Sequence, residues 1–191
     1  PKKIVASSKN AQNLCAPKFG QVSEGEFLKG SGVLLDKNDW IILDFGKEIA
    51  GSVQIGSGAR TSRTAAVRVR FGESVSETMS ELIGKAKNAT ATNEHAIRDD
   101  IVTIPWFGRR EIGETGFRFV RIDNPSNNRV QIEYVRAVSM MRPMKRLGSF
   151  ECSDERINRI FKTAVDTVHL CCQDYVWDGI KRDRLVWMGD M

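Results

Sequence analysis

Hydrophobic and polar side chains alternate with a period of two in many short runs along the first 147 residues. Such alternation places apolar side chains on one face of a β-strand and polar side chains on the other. The runs are bounded by Gly, Pro, Asp or Asn, which favour turns. The predicted strands cover residues 40–45, 51–55, 67–71, 101–106, 117–119 and 130–134. Many short strands separated by turns predict an antiparallel β-sandwich.

Two parts of the chain lack this alternation. Residues 74–100 are rich in Ser, Thr, Asn, Glu and Lys. We expect a long exposed loop there, with one short helix around residues 80–86. Residues 1–39 have a weaker pattern, which fits either an entering segment or the tail of a preceding domain.

The period changes to that of a helix over residues 149–177. Ser153 is a good N-cap, and Asp154 and Glu155 follow it in the first turn, where the helix dipole favours negative charge. Apolar residues at helical spacing then form one broad stripe. These residues are Ile157, Ile160, Phe161, Ala164, Val165, Val168, Cys171 and Cys172. Because one helix cannot bury its own stripe, this helix needs partner helices.

The patterns together predict a mainly β chain in which an antiparallel β-sandwich is followed by the start of an α-helical domain. The expected division is an entering segment or tail over residues 1–39, the β-sandwich over residues 40–147, and the first part of a helical domain over residues 148–191. We expect the helical domain to be truncated at residue 191.

The last fourteen residues carry the strongest chemical signal. They place Asp178, Asp183 and Asp190 beside three basic residues and Trp187 in a Gly-containing segment. Carboxylates held close together cannot all ionise freely, so one of them can serve as a general acid. The indole of Trp187 suits the C–H face of a sugar. The alternative is a solvated charged turn with Trp187 as the anchor of a following helix.

This segment resembles the signature of the bacterial α-L-rhamnosidases, which are inverting glycoside hydrolases with an (α/α)6-barrel catalytic domain. The family pattern has seven positions at fixed spacing, and the matching residues are Asp178, Arg182, Asp183, Arg184, Trp187, Gly189 and Asp190. Upstream, residues 43–51 and 115–122 resemble phrases of the β-sandwich that precedes the barrel in this family. The helix over residues 149–177 is similar to the first helix of that barrel.

The resemblance implies roles for individual residues. Asp183 corresponds to the general acid, and Asp178, Arg182, Trp187 and Asp190 correspond to the substrate-binding residues. The expected partner is a carbohydrate, a terminal α-L-rhamnoside, with the leaving group left open. The family members described most often have Glu at the acid position, and Asp shortens the reach by about 1.5 Å.

The resemblance also places the general base further along the barrel, outside these residues. We therefore expect the 191 residues alone to be inactive, and we expect them to dock on the rest of their own helical domain. A periplasmic or secreted bacterial location is favoured over the cytoplasm. The competing class is a non-catalytic carbohydrate-binding or structural β-sandwich module. Exposed Trp40 and Trp106 would favour that class, but we interpret both as core residues.

Composition excludes several other classes. Hydrophobic residues make up 41% of the chain, which predicts a folded core, and no apolar run is long enough to span a membrane. The four cysteines lack the paired spacing of a metal site, so we expect no metal and no cofactor. The net charge of +5 leaves a nucleic-acid-binding sheet face open. The residues in question are Arg68, Arg70, Arg118 and Arg121, which we interpret as solvent-facing, so we expect no nucleic-acid partner.

Overall fold

The computed structural model describes residues 1–15, 32–80, 97–182 and 184–190, with Asp190 described by its backbone only. Within these ranges seven strands form one antiparallel sheet in the order β2-β7-β3-β6-β4-β5, with β1 paired to β3. The strands are β1 (Lys3–Ser7), β2 (Val33–Leu35), β3 (Trp40–Ser57), β4 (Ala66–Gly72), β5 (Arg98–Thr103), β6 (Arg109–Asp123) and β7 (Val130–Ser139). The predicted mainly β, antiparallel fold class is confirmed.

The two parts of the long strand β3 have different neighbours. The start of β3 pairs with β1 and with the end of β6, whereas its later part pairs with β7 and with the start of β6. A register shift between Asp44 and Ile49 separates the two parts, and Gly46 supplies the positive φ of 83° that this irregularity needs. The two predicted strands at 40–45 and 51–55 are therefore parts of one strand.

Both parts of β3 contribute to a single apolar core, as in a β-sandwich. Phe117 of β6 is fully buried and packs edge to face on two neighbouring rings. Its ring centroid lies 5.5 Å from that of Phe45 and 5.3 Å from that of Phe71. Leu14 and Leu35 are buried in the same cluster. Offset and edge-to-face aromatic contacts of this kind add to the stability that burial provides.

The elements between β4 and β6 differ from the prediction. Strand β5 begins at Arg98 and ends at Thr103, so residues 98–100, expected in a loop, lie in a strand. Its polar residues are tolerated because Asp99 of this edge strand pairs with Arg68 of β4. The described helix α1 (Val75–Met79) begins before the predicted helix, and Ser80 is its C-cap. Residues 81–86 of that prediction lie outside the described residues.

The second described helix, α2, spans Glu155–Cys171 and is shorter than predicted at both ends. Asp154, rather than Ser153, is the N-cap, because the Asp154 side chain accepts a hydrogen bond from the backbone N–H of Arg156 at 2.8 Å. No residue of α2 is buried, so its apolar stripe is largely exposed. Neither described helix is long and apolar enough to cross a membrane.

Candidate functional site

After α2 the chain forms a closed loop over residues 178–187, which we call the terminal loop. Asp178 closes this loop at its base. The Asp178 Oδ1 atom accepts a hydrogen bond from the Leu185 backbone N–H at 2.9 Å, and Oδ2 accepts one from Trp187 Nε1 at 3.0 Å. The backbone N–H of Asp178 donates to the Leu185 carbonyl at 3.0 Å. The structure thus brings Asp178 and Trp187, two of the predicted binding residues, into direct contact.

The other predicted site residues are described to different extents. Arg182 is exposed, and its carbonyl accepts a hydrogen bond from the backbone N–H of Arg184 at 2.8 Å. Asp183, the predicted acid, lies outside the described residues. Asp190 ends a short 3-10 turn, Met188–Asp190, and its side chain is also outside the described part of the chain. Their predicted roles remain predictions.

Lys181, at the tip of the terminal loop, inserts into the β-sandwich. Its side chain is only 1% exposed, and its Nζ atom lies 2.7 Å from Glu77 Oε2 and 3.3 Å from the Phe71 carbonyl oxygen. Arg98 of β5 donates a hydrogen bond to the Lys181 carbonyl. A buried ammonium is costly unless it is paired and hydrogen-bonded, and both conditions are met here.

Residues on either side of Lys181 also contact the sheet. A side chain at Gly116 of β6 would overlap Ile180, so Ile180 packs directly on the backbone of that strand. The Arg184 guanidinium donates a hydrogen bond to the Glu114 carbonyl at 2.7 Å and lies 5.3 Å from the Trp177 ring centroid. The sheet therefore fixes the terminal loop at several points.

Lys181 faces a group of three carboxylates on the β-sandwich, formed by Glu48, Glu73 and Glu77. Burial, and secondarily the negative charge of Glu73, raise the pKa of Glu48 to about 8, although Lys181 and Arg118 act in the opposite direction. Burial and the charge of Glu77 also raise the pKa of Glu73. Glu48 Oε1 is buried and makes no hydrogen bond to a described residue. Glu48 is therefore mostly protonated at neutral pH, which relieves the repulsion among the three groups.

Reasoning from sequence missed this acidic group. Glu77 lies in the polar stretch that we interpreted as a loop, although Ser74 and Glu77 have the spacing of a capping box. The Ser74 hydroxyl accepts a hydrogen bond from the Glu77 backbone N–H at 3.2 Å, and Glu77 Oε2 accepts one from the Glu73 N–H at 2.6 Å. That spacing could have located α1. The burial of Lys181 has no local sequence signal, because its partners are about a hundred residues away.

The four strand arginines are paired with carboxylates, and the interpretation that all of them face solvent was wrong. The Arg70 side chain is only 3% exposed. Its burial is possible because Asp123 accepts a hydrogen bond from it at 3.0 Å. A phosphate backbone would have to compete with these carboxylates. The pairs are Arg68–Asp99, Arg70–Asp123, Arg118–Asp44 and Arg121–Asp123.

The prediction that Trp106 belongs to the core was wrong. Strand β5 ends at Thr103, so Trp106 lies in the following turn and is 53% exposed. Its Nε1 atom donates to the Ala59 carbonyl at 3.0 Å, and its ring centroid is 5.9 Å from that of Phe107. Trp40 is half-buried under the Arg121 guanidinium. In the described part of the chain, no three His, Cys, Asp or Glu residues lie close enough to hold a metal ion.

Comparison with known proteins identifies a related family for the C-terminal part of the chain. Residues 145–191 match the family model of the bacterial alpha-L-rhamnosidase 6 hairpin glycosidase domain. No curated protein matches the chain. The matched region contains the whole terminal loop, so the chain resembles part of the bacterial α-L-rhamnosidase family, as the sequence predicted.

Two solved structures share the fold. A rhamnosidase from Klebsiella oxytoca with rhamnose bound has a TM-score of 0.69 and 22% identity, over 83% of this chain and 32% of that one. A GH78 family rhamnosidase of Bacillus sp. GL1 has a TM-score of 0.62 and 19% identity, over 93% of this chain and 17% of that one. This chain therefore spans a third or less of the length of either relative.

Proposed function

We propose that this chain is part of a glycoside hydrolase similar to the α-L-rhamnosidases, one that cleaves terminal α-L-rhamnose from glycosides or polysaccharides with inversion. The match over residues 145–191 carries this proposal, because it includes every position of the motif from Asp178 to Asp190. The fold shared with two rhamnosidases supports it. The bound rhamnose in one of them supports a carbohydrate as the partner of this protein.

The proposed domain division follows the same reasoning. We place the β-sandwich over residues 40–147, with β1 and β2 of the entering segment joining its sheet, and the helical domain from residue 148. The end of β7 at Ser139, the start of α2 at Glu155 and the start of the family match at residue 145 support this boundary. For residues 1–39, the pairing of β1 with β3 and of β2 with β7 favours an entering segment over the tail of a preceding domain.

In the proposed mechanism Asp183 is the general acid and protonates the glycosidic oxygen as the bond to rhamnose breaks. A second carboxylate activates a water on the opposite face of the sugar. In inverting enzymes the two carboxyl groups lie roughly 6.5–9.5 Å apart. That base belongs to a part of the barrel not included in these residues. The 191 residues alone are therefore inactive in this account.

Asp178 and Trp187 form the sugar-binding side of the site. Both Asp178 oxygens already accept one hydrogen bond each, which fixes the orientation of the carboxylate. A carboxylate has about four acceptor positions, so Asp178 keeps positions for sugar hydroxyls. Because the Trp187 N–H is directed to Asp178, the indole is held at its edge and its faces can stack on the sugar ring. Arg182 and Asp190 complete the proposed binding set.

The exposed apolar face of α2 is the proposed contact with the rest of the helical domain. Ile157, Ile160 and Val168 are all exposed on this face. Burying them would supply part of the energy that holds a helical barrel together.

The test uses the full-length protein and compares wild type with Asp183→Asn. We expect the variant to lose hydrolysis of an alkyl α-L-rhamnoside, whose leaving group needs protonation, by about 10²- to 10⁴-fold. Hydrolysis of an aryl rhamnoside with a good leaving group should fall much less, and the variant should still bind rhamnose. Asp174→Asn, at an exposed carboxylate before the motif, is the matched control. Equal activity of Asp183→Asn and wild type would place the acid elsewhere.

The alternative is a carbohydrate-binding or structural β-sandwich module, and the exposed Trp106–Phe107 pair favours it. The two possibilities predict different effects on rhamnose binding, which calorimetry or NMR titration can measure. A binding module requires that Trp106→Ala weaken binding while Trp187→Ala leaves it intact. The proposed rhamnosidase site requires the reverse.

A further inference from the structure

We infer that the β-sandwich positions the terminal loop for the reaction, and that Lys181 is the positioning residue that couples the two. The inference rests on the proposed function, because the loop contains the proposed acid and binding residues. It assigns the sandwich a role in catalysis, and it gives a role to a residue that lies between two motif positions, Asp178 and Arg182.

The first observation is the burial of an ammonium group by a surface loop. A lysine that served only solubility would keep its charge in water, whereas the Lys181 side chain is 1% exposed. The energetic cost of this burial is offset by Glu77 at 2.7 Å and by the Phe71 carbonyl at 3.3 Å. Glu77 is itself held by the Glu73 backbone N–H, so the partner of Lys181 is fixed.

The second observation is that the loop is fixed at both its base and its tip. Asp178 closes the base through Leu185 and Trp187, while Lys181 occupies the tip. Arg184 adds a third contact by donating to the Glu114 carbonyl of β6. Moving the tip would therefore shift the whole loop relative to the sheet.

The consequence for catalysis follows from sequence proximity. In the sequence, position 183 lies between Lys181 and Arg184. Lys181 contacts Glu77 of α1 and the Phe71 carbonyl of β4, whereas Arg184 contacts the Glu114 carbonyl of β6. The sandwich thus fixes the residues on both sides of the proposed acid. A displacement of about 1 Å of a reacting group can cost about 10²-fold in rate. Lys181 acts through the loop and does not itself contact the sugar.

The first experiment measures the anchor directly in the full-length protein. Lys181→Met keeps the length of the side chain and removes its charge. The control is Lys162→Met, which makes the same change at an exposed lysine of α2. Hydrogen exchange of the amides in residues 178–187 should accelerate at least about tenfold in Lys181→Met but not in the control. Unchanged exchange would overturn the inference. Glu77→Gln should cause a similar but smaller effect, which keeps the test valid if Lys181→Met folds poorly.

The second experiment separates positioning from general stability. In Lys181→Met, kcat for an alkyl rhamnoside should fall about 10²-fold, with a much smaller loss for an aryl rhamnoside. KM should rise for both substrates, because Asp178 and Trp187 lie in the same loop. A merely structural role would lower both rates by the same factor, and that result would contradict positioning. If wild type cleaves no rhamnoside, the proposed function fails, whereas the exchange experiment still decides whether Lys181 anchors the loop.

Discussion

Replacing Glu48 by Gln should stabilise the protein at alkaline pH and have little effect at acidic pH. Burial raises the pKa of Glu48 to about 8, so the folded protein keeps this proton up to that pH. In the unfolded chain the carboxyl titrates near its ordinary value of 4.5. Between these two values only the folded state holds the proton, and stability therefore falls as pH rises through this window.

The expected magnitude follows from the difference between the two pKa values. At 1.36 kcal/mol per pH unit, the raised pKa corresponds to an upper limit of about 5 kcal/mol. Glu48 is only partly buried, so solvent screening reduces the expected penalty to about 1–2 kcal/mol. Gln keeps the shape and cannot ionise, so Glu48→Gln should remove this penalty above pH 8.

The assay is urea unfolding at several values between pH 5 and pH 9, for wild type, Glu48→Gln and the control Glu151→Gln at an exposed position. The stability difference between Glu48→Gln and wild type should grow with pH up to about pH 8 and level off above it, while the control should follow wild type. A difference that stays constant with pH would refute the proposal that Glu48 is protonated in the folded state. Glu73 remains in both proteins, so part of the wild-type slope should persist in the variant.

Three further substitutions test the fold. Phe117→Ala removes the central ring of the aromatic cluster and should lower the free energy of unfolding by about 3–5 kcal/mol, measured by urea denaturation. Gly116→Ala should displace Ile180. Hydrogen exchange should therefore accelerate in the terminal loop, while the sheet amides keep their protection. Unchanged exchange in the loop would contradict this packing. Asp154→Ala removes the N-cap of α2 and should cost about 0.5–2 kcal/mol, measured as loss of helix protection, whereas Ser153→Ala should cost less.

The sequence predicted those features that depend on local periodicity. Alternation located most strands, because one face of each contributes to the core, and the helical spacing found α2 with its exposed apolar stripe. The predicted ends of the helices and strands were less accurate. At the start of α2, for example, Ser153 and Asp154 are both good N-caps, and a single hydrogen bond decides between them. Trp106 was assigned to the core because its run is apolar, although the strand ends before it.

Features that depend on contacts between distant residues could not be predicted. The motif identified Asp178 and Trp187, and the structure places them in contact. The burial of Lys181 depends on Glu77 and Phe71, which are more than a hundred residues earlier in the chain. The raised pKa of Glu48 likewise arises from neighbours brought together only by folding.

The most direct test of the central proposal is a proton NMR time course of an aryl α-L-rhamnoside incubated with the full-length protein. We expect β-rhamnose to be the first product, with the α-anomer appearing later by mutarotation, because an inverting mechanism reverses the anomeric configuration. Initial formation of α-rhamnose would contradict the proposed mechanism. Absence of any rhamnose, from this and other α-L-rhamnosides, would contradict the proposed function itself.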